Sequence, residues 1–538
     1  MSVSGTTYWV HPSGNNANSG DSLHPWATPN HACSTIVAGD TTFVRGDSLL
    51  ESGGYFGRYA IKSRLTSFDE PGRASIEFLH NGTAENPIVI SNYPGDSIEL
   101  KRSMVGNTGN SYLNALIGFY NNSYCVINGF TIYTYIDTIM VTAFNCVNSN
   151  YCRFENCNAY GINRYQYILT DQNLNGACGY YNHSGFRLEG AKNCCITDCK
   201  SIGFTCFDGS TCNVNNNCIL YYRDTSCTTQ YCYVADGCET IRDKWYGTDG
   251  SVFINNIILD GPHHCGGLYI EQHPQSNTIV RNNIIINGGI FGVSGIESSH
   301  EYNIVSNNTI VLHEGSTVST SSGIYSIAEQ WTAAVGNEFY NNIIWDEEAV
   351  SRSVIKEVFK TTEVWHVDTN LFDYCNYNIY RTGKFKLYLD LPIDDISTTF
   401  STWKTRFGND INGDTISISP FVNVDLDSLQ LKPDSPLRNS GRYGLHIGAY
   451  STDETVVGPR TTAYQPPQNP SWYVDTTGYK RIFVPNRDKI RVELKYGSPP
   501  LKIIIYNKYG NPNDSTETND SIQADGAGIH MLVTKTLR

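Results

Sequence analysis

The chain has 538 residues, with 38 Lys and Arg against 52 Asp and Glu and a formal net charge of −14. This acidic balance argues against a nucleic-acid-binding protein, because such a protein needs a basic face to displace the counterions of the phosphate backbone. No apolar stretch approaches the roughly 18 residues of a membrane-spanning helix, so we expect no membrane insertion. The 36 Tyr residues suit contact with sugar rings, although Tyr is also common in exposed β-strands.

The chain contains 17 Cys, of which 15 lie between positions 125 and 265. The odd number is not typical of a secreted disulfide scaffold, and the spacing lacks the two successive Cys-x-x-Cys pairs of a zinc site. We therefore predict stacked thiols that act as small buried apolar groups, with no metal and no cofactor. The segment Met1–Tyr8 shows neither the charged nor the apolar region of a signal peptide, so such a signal is absent or has been removed.

The N-terminal 60 residues predict a strand, a turn rich in Gly and Asn, a brief helix from about His31 to Val37, and a second strand. An amphipathic helix at this place would cap the open end of a stacked β-structure. Without a cap, the first coil exposes unpaired strand edges.

Asp or Asn recurs every 19 residues in the middle of the chain, at Asp198, Asn217, Asp236 and Asn255. The same pattern begins upstream at Asn128 and Asn156. We predict that the residue after each of these positions, and after later ones, lies in one inward column of small or amide side chains: Gly129, Cys157, Cys199, Cys218, Gly237, Asn256, Asn283, Asn308 and Asn342.

An Asn-Asn ladder continues this pattern, with the first Asn at 255, 282, 307 and 341 and therefore with steps of 27, 25 and 34 residues. Periods of this length are typical of stacked coils. Asn tolerates tight turns, and its amide can bond to the Asn of the coil above or below. We interpret the ladder as internal scaffold.

The composition changes after residue 451. Residues 458–470 form a Pro-rich linker, beyond which apolar and polar residues alternate at period two around positions 481, 489 and 501. This alternation predicts a small antiparallel β domain with a turn at residues 509–514.

Two groups of short motifs bracket the repeats. The N-terminal motifs are Tyr8-Trp-Val with Gly14, Pro25-Trp-Ala-Thr28, Gly39-Asp-Thr-Thr-Phe-Val-Arg-Gly46 and Gly82-Thr-Ala-Glu-Asn-Pro-Ile88. The C-terminal motifs are Asp373-Tyr-Cys-Asn-Tyr-Asn-Ile-Tyr380, Trp403 before Phe407-Gly-Asn-Asp410, Ser419-Pro-Phe421, Leu429-Gln-Leu-Lys-Pro-Asp-Ser-Pro436 and Ile447-Gly-Ala-Tyr450. Together they resemble the N-terminal and exit modules of right-handed parallel β-helix proteins of the pectin-lyase-like superfamily, of phage tailspike and polysaccharide depolymerase type. The resemblance specifies fold more than chemistry, because the superfamily includes lyases, hydrolases, epimerases and non-catalytic spikes.

We therefore expect an all-β protein: a right-handed parallel β-helix with an N-terminal cap and a small C-terminal antiparallel β domain. The expected organisation places the cap and first coils in residues 1–100 and the core in 101–350. The final coils and exit module, with an inserted segment, follow in 351–451, the linker in 452–470 and the C-terminal domain in 471–538.

A second column begins with Gly and an aliphatic residue before the Asn steps, in residues 185–189, 267–271, 295–297 and 323–325. Strand alternation puts the aliphatic side chains inside and their neighbours outside, about 5 Å apart from coil to coil. The outward residues are predicted to be Arg187, Glu189, Tyr269, Glu271, Glu297 and Tyr325, to which intervening coils add Asp208, Arg242 and Asp243. Each alone is an ordinary polar residue of a strand surface, but the loops that converge on the cluster indicate a site.

Tyr, Arg and carboxylates along a rod suit an extended polysaccharide, because aromatic rings stack on sugars and a carboxylate pair supplies acid and base. The candidate catalytic residues are Glu271, Glu297, Asp243, Arg242, Lys244 and His264. The candidate substrate-binding residues are Tyr269, Tyr325, Arg187, Glu189, Asp208, Trp245 and His263. The adjacent His263 and His264 either supply a base beside Glu271 or simply belong to a loop.

We expect a protein that binds and cleaves a cell-surface polysaccharide (capsule, lipopolysaccharide or exopolysaccharide), with hydrolysis slightly favoured. A lyase needs a cation to neutralise a uronate and a base to take its α-proton, and the Lys and Arg motifs of the superfamily's lyases are not recognisable here. A non-catalytic glycan-binding or structural virion protein is the alternative. The resemblance implies a homotrimeric, tailspike-like protein of the virion tail or the extracellular space, in contact with other virion tail proteins.

Overall fold

The computed structural model describes residues 5–50, 55–62, 74–103, 115–133, 143–160, 184–202, 204–208, 214–216, 219–221, 245–246, 252–259, 268–270, 279–286, 290–294, 304–312, 324–329, 338–347, 353–360, 374–381, 384–389, 396–423 and 429–449, with C-terminal strands at 489–491, 501–506, 512–518 and 530–532. The chain forms two compact units, Met1–Tyr464 and Gln465–Arg538. Within the described residues, no helix is long and apolar enough to cross a membrane.

The first unit is a stack of coils with three faces. In each coil the chain passes from face three to face one to face two, as in the successive strands Ala115–Tyr120, Cys125–Asn128 and Phe130–Tyr133. Each of these strands pairs in parallel with the corresponding strand of the next coil. The predicted parallel β-helix is therefore confirmed, and a right-handed path is the one that crossovers between parallel strands take.

The described strands fall into four sheets of this unit. Face one consists of Thr7–Val10, Thr41–Val44, Ile88–Asn92, Cys125–Asn128, Arg153–Glu155, Cys195–Thr197, Val214–Asn216, Val252–Ile254, Ile279–Arg281, Ile304–Ser306, Glu338–Tyr340 and Tyr374–Asn376. Face two consists of Ser48–Leu49, Tyr55–Lys62, Ser97–Ser103, Phe130–Tyr133, Asn158–Tyr160, Lys200–Ile202, Ile219–Tyr221, Ile257–Leu259, Ile284–Ile286, Thr309–Leu312, Ile343–Asp346, Ile379–Arg381 and Asp414–Ile416.

Face three is divided into two successive sheets. The first contains Ala74–Glu77, Ala115–Tyr120, Phe144–Val147, Ser184–Glu189, Phe204–Asp208 and Trp245–Tyr246. The second contains Leu268–Ile270, Ile290–Ser294, Ile324–Glu329, Ser353–Lys360, Lys384–Leu389 and Ile396–Thr398. Among the described strand pairs of the β-helix, two are antiparallel: Ser48–Leu49 with Tyr55–Lys62, and Lys384–Leu389 with Ile396–Thr398.

The turn from face one to face two depends on one residue in the left-handed backbone conformation. Its φ is 51° at Asn156, 52° at Asp198 and 57° at Asn255, and the first Asn of each later pair repeats it at Asn282, Asn307 and Asn341. Asn and Asp tolerate this conformation better than other residues with a side chain. This local requirement explains why the first Asn recurs.

The second Asn of each pair points into the core and forms a directional ladder. The side-chain nitrogen and the backbone nitrogen of Asn256 both donate to Oδ1 of Asn283, at 3.1 and 2.9 Å. The same double donation repeats from Asn283 to Asn308, from Asn308 to Asn342 and from Asn342 to Asn378. The interpretation of the ladder as internal scaffold is confirmed for these residues.

Asp410 ends the ladder. Its Oδ1 accepts from the backbone and side-chain nitrogens of Asn378, at 3.1 and 2.9 Å. Its Oδ2 accepts from the Tyr380 hydroxyl at 2.7 Å and from Nε1 of Trp403 at 3.1 Å. Trp403 lies in the helix Phe400–Phe407, which Thr399 caps at the N-terminus and Gly408 ends with a φ of 68°. The exit module therefore meets the last coils through one buried carboxylate.

Residues 421–449 cover the outer surface of face two over the later coils. Phe421, Leu429, Leu431, Leu437 and Ile447 form one buried cluster with outward residues of face two: Ile257, Ile284, Ile286, Val311, Ile343, Trp345 and Ile379. The segment includes two short 3-10 helices, Pro436–Arg438 and Arg442–Gly444. Strands that are buried on both sides are aliphatic along their whole length, which explains the continuous Ile runs after each Asn pair.

The helix near the N-terminus covers the free edge of face three. It spans Pro29–Thr35, with Pro29, Ala32 and Cys33 buried. Nδ2 of Asn30 donates to the Ser75 carbonyl at 2.8 Å, and the Leu79 amide donates to the Cys33 carbonyl at 3.3 Å. These bonds satisfy groups beside the edge strand Ala74–Glu77, as a cap must do.

Two details of the predicted register are wrong. Glu155 pairs with Asn128, so Asn156 corresponds to Gly129, whose φ is 79°, and the inward position of that coil belongs to Phe130. The strand Val214–Asn216 pairs directly with Val252–Ile254, so Asp236 and Gly237 do not form a coil step of face one. The spacing of 19 residues at this point reflects chance, because the length of an inserted segment does not depend on the coil period.

The described Cys residues behave as predicted for stacked thiols. Of the nine whose side chains are described, none forms a disulfide bond, and all are buried except the partly exposed Cys195. Register aligns Cys152 with Cys125 and Cys194 in one column, because the residues that follow them pair across the strands. Sγ of Cys146 donates a hydrogen bond to Sγ of Cys194 at 3.6 Å. Predicted members Cys218 and Gly237 lie outside the described residues.

The second unit contains two described strand pairs. Leu501–Tyr506 pairs with Pro512–Thr518 as an antiparallel hairpin. The predicted turn at residues 509–514 is wrong at its end, because residues 512–514 belong to the second strand. Lys489–Arg491 pairs with His530–Leu532 in parallel, so the antiparallel arrangement does not extend to this pair. The predicted strand near residue 481 lies outside the described residues.

Asp410→Asn is expected to lower the free energy of unfolding by about 1–3 kcal/mol, because an amide at this position would turn its NH2 group toward a neighbouring donor. The measurement is the urea unfolding midpoint of the full chain. Asp414→Asn is the matched control, since Asp414 is an exposed acid of the same module. Equal midpoints for the two variants would contradict the proposed role of Asp410.

The stability should also depend on pH through Asp410. Burial raises the pKa of this carboxyl, although hydrogen bonds from Tyr380, Asn378 and Trp403 oppose the shift. A raised pKa means that the folded state holds the proton more tightly than the unfolded state. The stability of the wild type relative to Asp410→Asn should therefore fall as pH rises above the ordinary carboxyl value. Unfolding midpoints of both proteins across the acidic range test this, and a difference that rises or stays constant would contradict it.

Candidate functional site

Face three is the surface on which the sequence places the candidate site. Its outer side is mostly buried in the first sheet, where Asn145 and Arg187 are covered and Glu189 is partly exposed. The outer surface of face two is covered by the exit module from Ile257 to Ile379. The outer residues of face three therefore decide what this part of the rod can bind.

Two rows of register partners run along the first sheet of face three. The arginine row contains residues that are paired from coil to coil: Glu77, Gly118, Asn145, Arg187 and Cys206. The carboxylate row lies two residues further along the strands: Tyr120, Val147, Glu189, Asp208 and Tyr246. Between the rows, Phe186 and Leu188 are buried in the core, as strand alternation predicts.

Arg187 and Glu189 form an ion pair across the two rows. Nη2 of Arg187 lies 2.8 Å from Oε2 of Glu189, and the side chains are 5% and 39% exposed. Arg187 lies at an outward position of the strand, as predicted, but its side chain is buried. A buried and ion-paired Arg is held in one orientation, which suits it to position a neighbouring group.

Asp208 lies beside Glu189 in the carboxylate row. The two residues are direct register partners on neighbouring parallel strands, and such strands are about 4.8 Å apart. The predicted residues Arg187, Glu189 and Asp208 are thus brought together on two adjacent strands. Pairs of neighbouring carboxylates are used for acid and base chemistry.

Trp245 and Tyr246 form the last described strand of this sheet. Trp245 pairs with Phe207, which pairs with Leu188, and Tyr246 pairs with Asp208 in the carboxylate row. The role of Trp245 in substrate binding stays a prediction.

The second sheet of face three places Tyr269 and Tyr325 in one row, as predicted. Phe291 pairs with both of them, and Lys356 continues the row after Tyr325. The expected equivalence of Ile296 with Leu268 and Ile324 is wrong, because Ile290 takes that place. Glu297 is therefore not the register neighbour of Tyr269. Sequence reasoning missed Phe291, because it aligned the later Gly295-Ile296 step in place of Gly289-Ile290, which starts this strand.

The remaining candidates lie outside the described residues: Arg242, Asp243, Lys244, His263, His264, Glu271 and Glu297. They stay predictions. In the part of the chain that the structure describes, no group of three or more His, Cys, Asp or Glu is placed to hold a metal ion.

The chain is thus a parallel β-helix in which rows of polar and aromatic register partners cross several coils of face three. No protein-family model and no curated protein matches the chain. Among solved structures it is similar to a rhamnogalacturonan lyase, with 14% identity, 82% of this chain and 100% of that chain covered, and a TM-score of 0.49. It is also similar to a pectate lyase (12% identity, 83% and 96% covered, TM-score 0.41). A third is a lacto-N-biosidase from Eubacterium ramulus (11% identity, 71% and 68% covered, TM-score 0.31). These values transfer neither a substrate nor a catalytic residue, so the function is argued from this chain's own residues.

Proposed function

We propose that this protein binds an extended cell-surface polysaccharide along face three and cleaves it by glycoside hydrolysis. One observation carries the proposal: Glu189 and Asp208 are register partners on adjacent strands, next to the buried Arg187. The backbones of such partners are about 4.8 Å apart, which allows their side chains to bring the two carboxyl groups to the separation of about 5 Å used by retaining glycosidases.

The ion pair assigns different roles to the two carboxyl groups. Glu189, paired with Arg187, is the ionised partner that attacks the anomeric carbon. Asp208 is the acid that donates its proton to the glycosidic oxygen, so that the C–O bond breaks and the leaving sugar departs as an alcohol. Water, activated by Asp208 as a base, then displaces the sugar from Glu189 and regenerates both groups.

Tyr269 and Tyr325 extend the proposed binding surface along the rod. They lie in one row with Phe291 across three successive strands of face three. Aromatic rings stack on the apolar faces of sugars, and a row along the axis would follow a polysaccharide over several units. The unplaced candidates Glu271, Asp243 and His264 form the competing assignment of the chemistry.

The setting that we propose is a tailspike-like depolymerase, homotrimeric and mounted on a virion tail. Its support is the resemblance of the N-terminal and exit motifs to such proteins. The acidic net charge of −14 is consistent with a partner other than nucleic acid.

Glu189→Gln and Asp208→Asn should each lower the rate of glycan shortening at least 100-fold, because each removes one half of the carboxylate pair. Capsule, lipopolysaccharide and exopolysaccharide preparations are incubated with the protein. Chain length, new reducing ends and the ultraviolet absorbance of unsaturated uronate are followed together.

Glu155→Gln is the matched control. Glu155 is also ion-paired with an Arg two residues before it, Arg153, at 3.3 Å, but this pair lies on face one.

Shortened chains without new ultraviolet absorbance support hydrolysis, whereas new absorbance would overturn it in favour of a lyase. Activity that survives both substitutions but is lost in Glu271→Gln would move the chemistry to the unplaced candidates. Bound but uncut chains across the whole panel would overturn the enzymatic function.

A further inference from the structure

Three aromatic side chains gather on the outer side of the first coils, around face one and away from the rows of face three. Trp9 and Phe43 are register partners on paired strands, with ring centroids 5.6 Å apart. The Tyr93 ring lies 5.3 Å from Trp9 and 5.8 Å from Phe43. All three are partly exposed, whereas the strand neighbours Val10 and Val44 are fully buried. We call Trp9, Phe43 and Tyr93 the aromatic cluster.

Arg45 stands at the border of the aromatic cluster. Its guanidinium carbon is 4.0 Å from the centroid of Tyr93 and 5.3 Å from that of Tyr55. Nε of Arg45 donates to Oδ2 of Asp96 at 3.1 Å, and the two side chains are 29% and 1% exposed. The guanidinium is thus held between two rings while part of it faces solvent.

Asp96 binds the backbone around Arg45 as well as its side chain. Its Oδ2 also accepts from the Gly46 amide at 3.1 Å, and its Oδ1 accepts from the Tyr55 amide at 2.9 Å. A side chain at Gly46 would come within 2.3 Å of the Phe56 backbone, so Gly is required for this close approach. One buried carboxylate therefore fixes both Arg45 and the backbone of its neighbours.

Arg58 lies in the same coils and, unlike Arg45, donates to its carboxylate partner through two nitrogens. Glu99 accepts from Nε and Nη2 of Arg58, at 3.0 and 2.8 Å, so the planar fork is used. Arg45 uses Nε alone, and among the described residues its terminal amino groups have no acceptor. Two parallel N–H groups of an Arg match the two oxygens of a carboxylate.

We propose that the aromatic cluster and Arg45 form a second, non-catalytic site that binds a carboxylated sugar, a uronate within an acidic polysaccharide. The rings cover the apolar face of the sugar, and the terminal amino groups of Arg45 bind its carboxylate. The site is independent of cleavage, because it uses no residue of face three.

Binding of galacturonate, mannuronate and glucuronate oligomers is measured by calorimetry on the full chain carrying Glu189→Gln and Asp208→Asn. The comparison ligand is each oligomer with its carboxylates reduced to alcohols. We expect one uronate series to bind, its reduced form to bind at least tenfold more weakly, and Arg45→Gln and Trp9→Ala each to weaken uronate binding at least tenfold. Arg45→Lys keeps the charge but loses the fork, so its affinity should lie between those of the wild type and Arg45→Gln.

Arg58→Gln is the matched control and should bind as the parent protein does. Near-ultraviolet circular dichroism establishes whether each variant is folded. If Trp9→Ala is not folded, the binding by Arg45→Gln alone tests the proposal. Equal binding by Arg45→Gln and its parent, equal binding of reduced and acidic oligomers, or no binding of any uronate overturns the proposal. Cleavage by the protein with active face three is assayed separately, so loss of that activity leaves this test unaffected.

Discussion

The direction of the Asn ladder is the constraint on which the later coils depend. Each amide donates through its side chain and its backbone to the oxygen of the next Asn, from Asn256 to Asn378. Such a series of hydrogen bonds ends in an amide that still needs an acceptor, and no further Asn of the ladder supplies one. A carboxylate accepts without donating, and this is why Asp410 stands where the sixth Asn would be. The exit helix is tied to the same group through Trp403.

Burial of face two on both sides follows from the same arrangement. Asn256 and its equivalents fill the inner corner, while the aliphatic residues that follow alternate between the core and the exit module. Ile285 belongs to the inner cluster and Ile284 and Ile286 to the outer one. A surface used in this way has no room for a ligand. Face three is also covered in part, since Asn145, Val147 and Arg187 are buried on its outer side, and the partly exposed Glu189 marks where a ligand could reach it.

The sequence predicts those parts of the fold that depend on local conformation. The turn at Asn255 needs a left-handed residue, so a recognisable pair of Asn recurs in each coil. The alignment of Asp236 and Glu297 failed because inserted segments vary in length, and spacing then no longer reports register. The burial of Arg187 could not be predicted from the sequence either, because it depends on how neighbouring coils cover the strand surface. Alternation gives the direction of a side chain but not its exposure.

Buried carboxylates recur where the chain leaves its regular strands. Asp40 accepts from the amides of Thr6 and Val37, Asp96 from those of Gly46 and Tyr55, and Asp410 from that of Asn378. A strand end leaves backbone N–H groups without a ladder partner, and a carboxylate can accept several of them at once. Part of the acidic charge of this chain is therefore structural. Asp96 also accepts from Nε of Arg45 and so fixes the guanidinium in one orientation. The side chain of Arg45 then loses little further conformational entropy when it binds a ligand. The scaffold and the binding surface are then built from the same interaction.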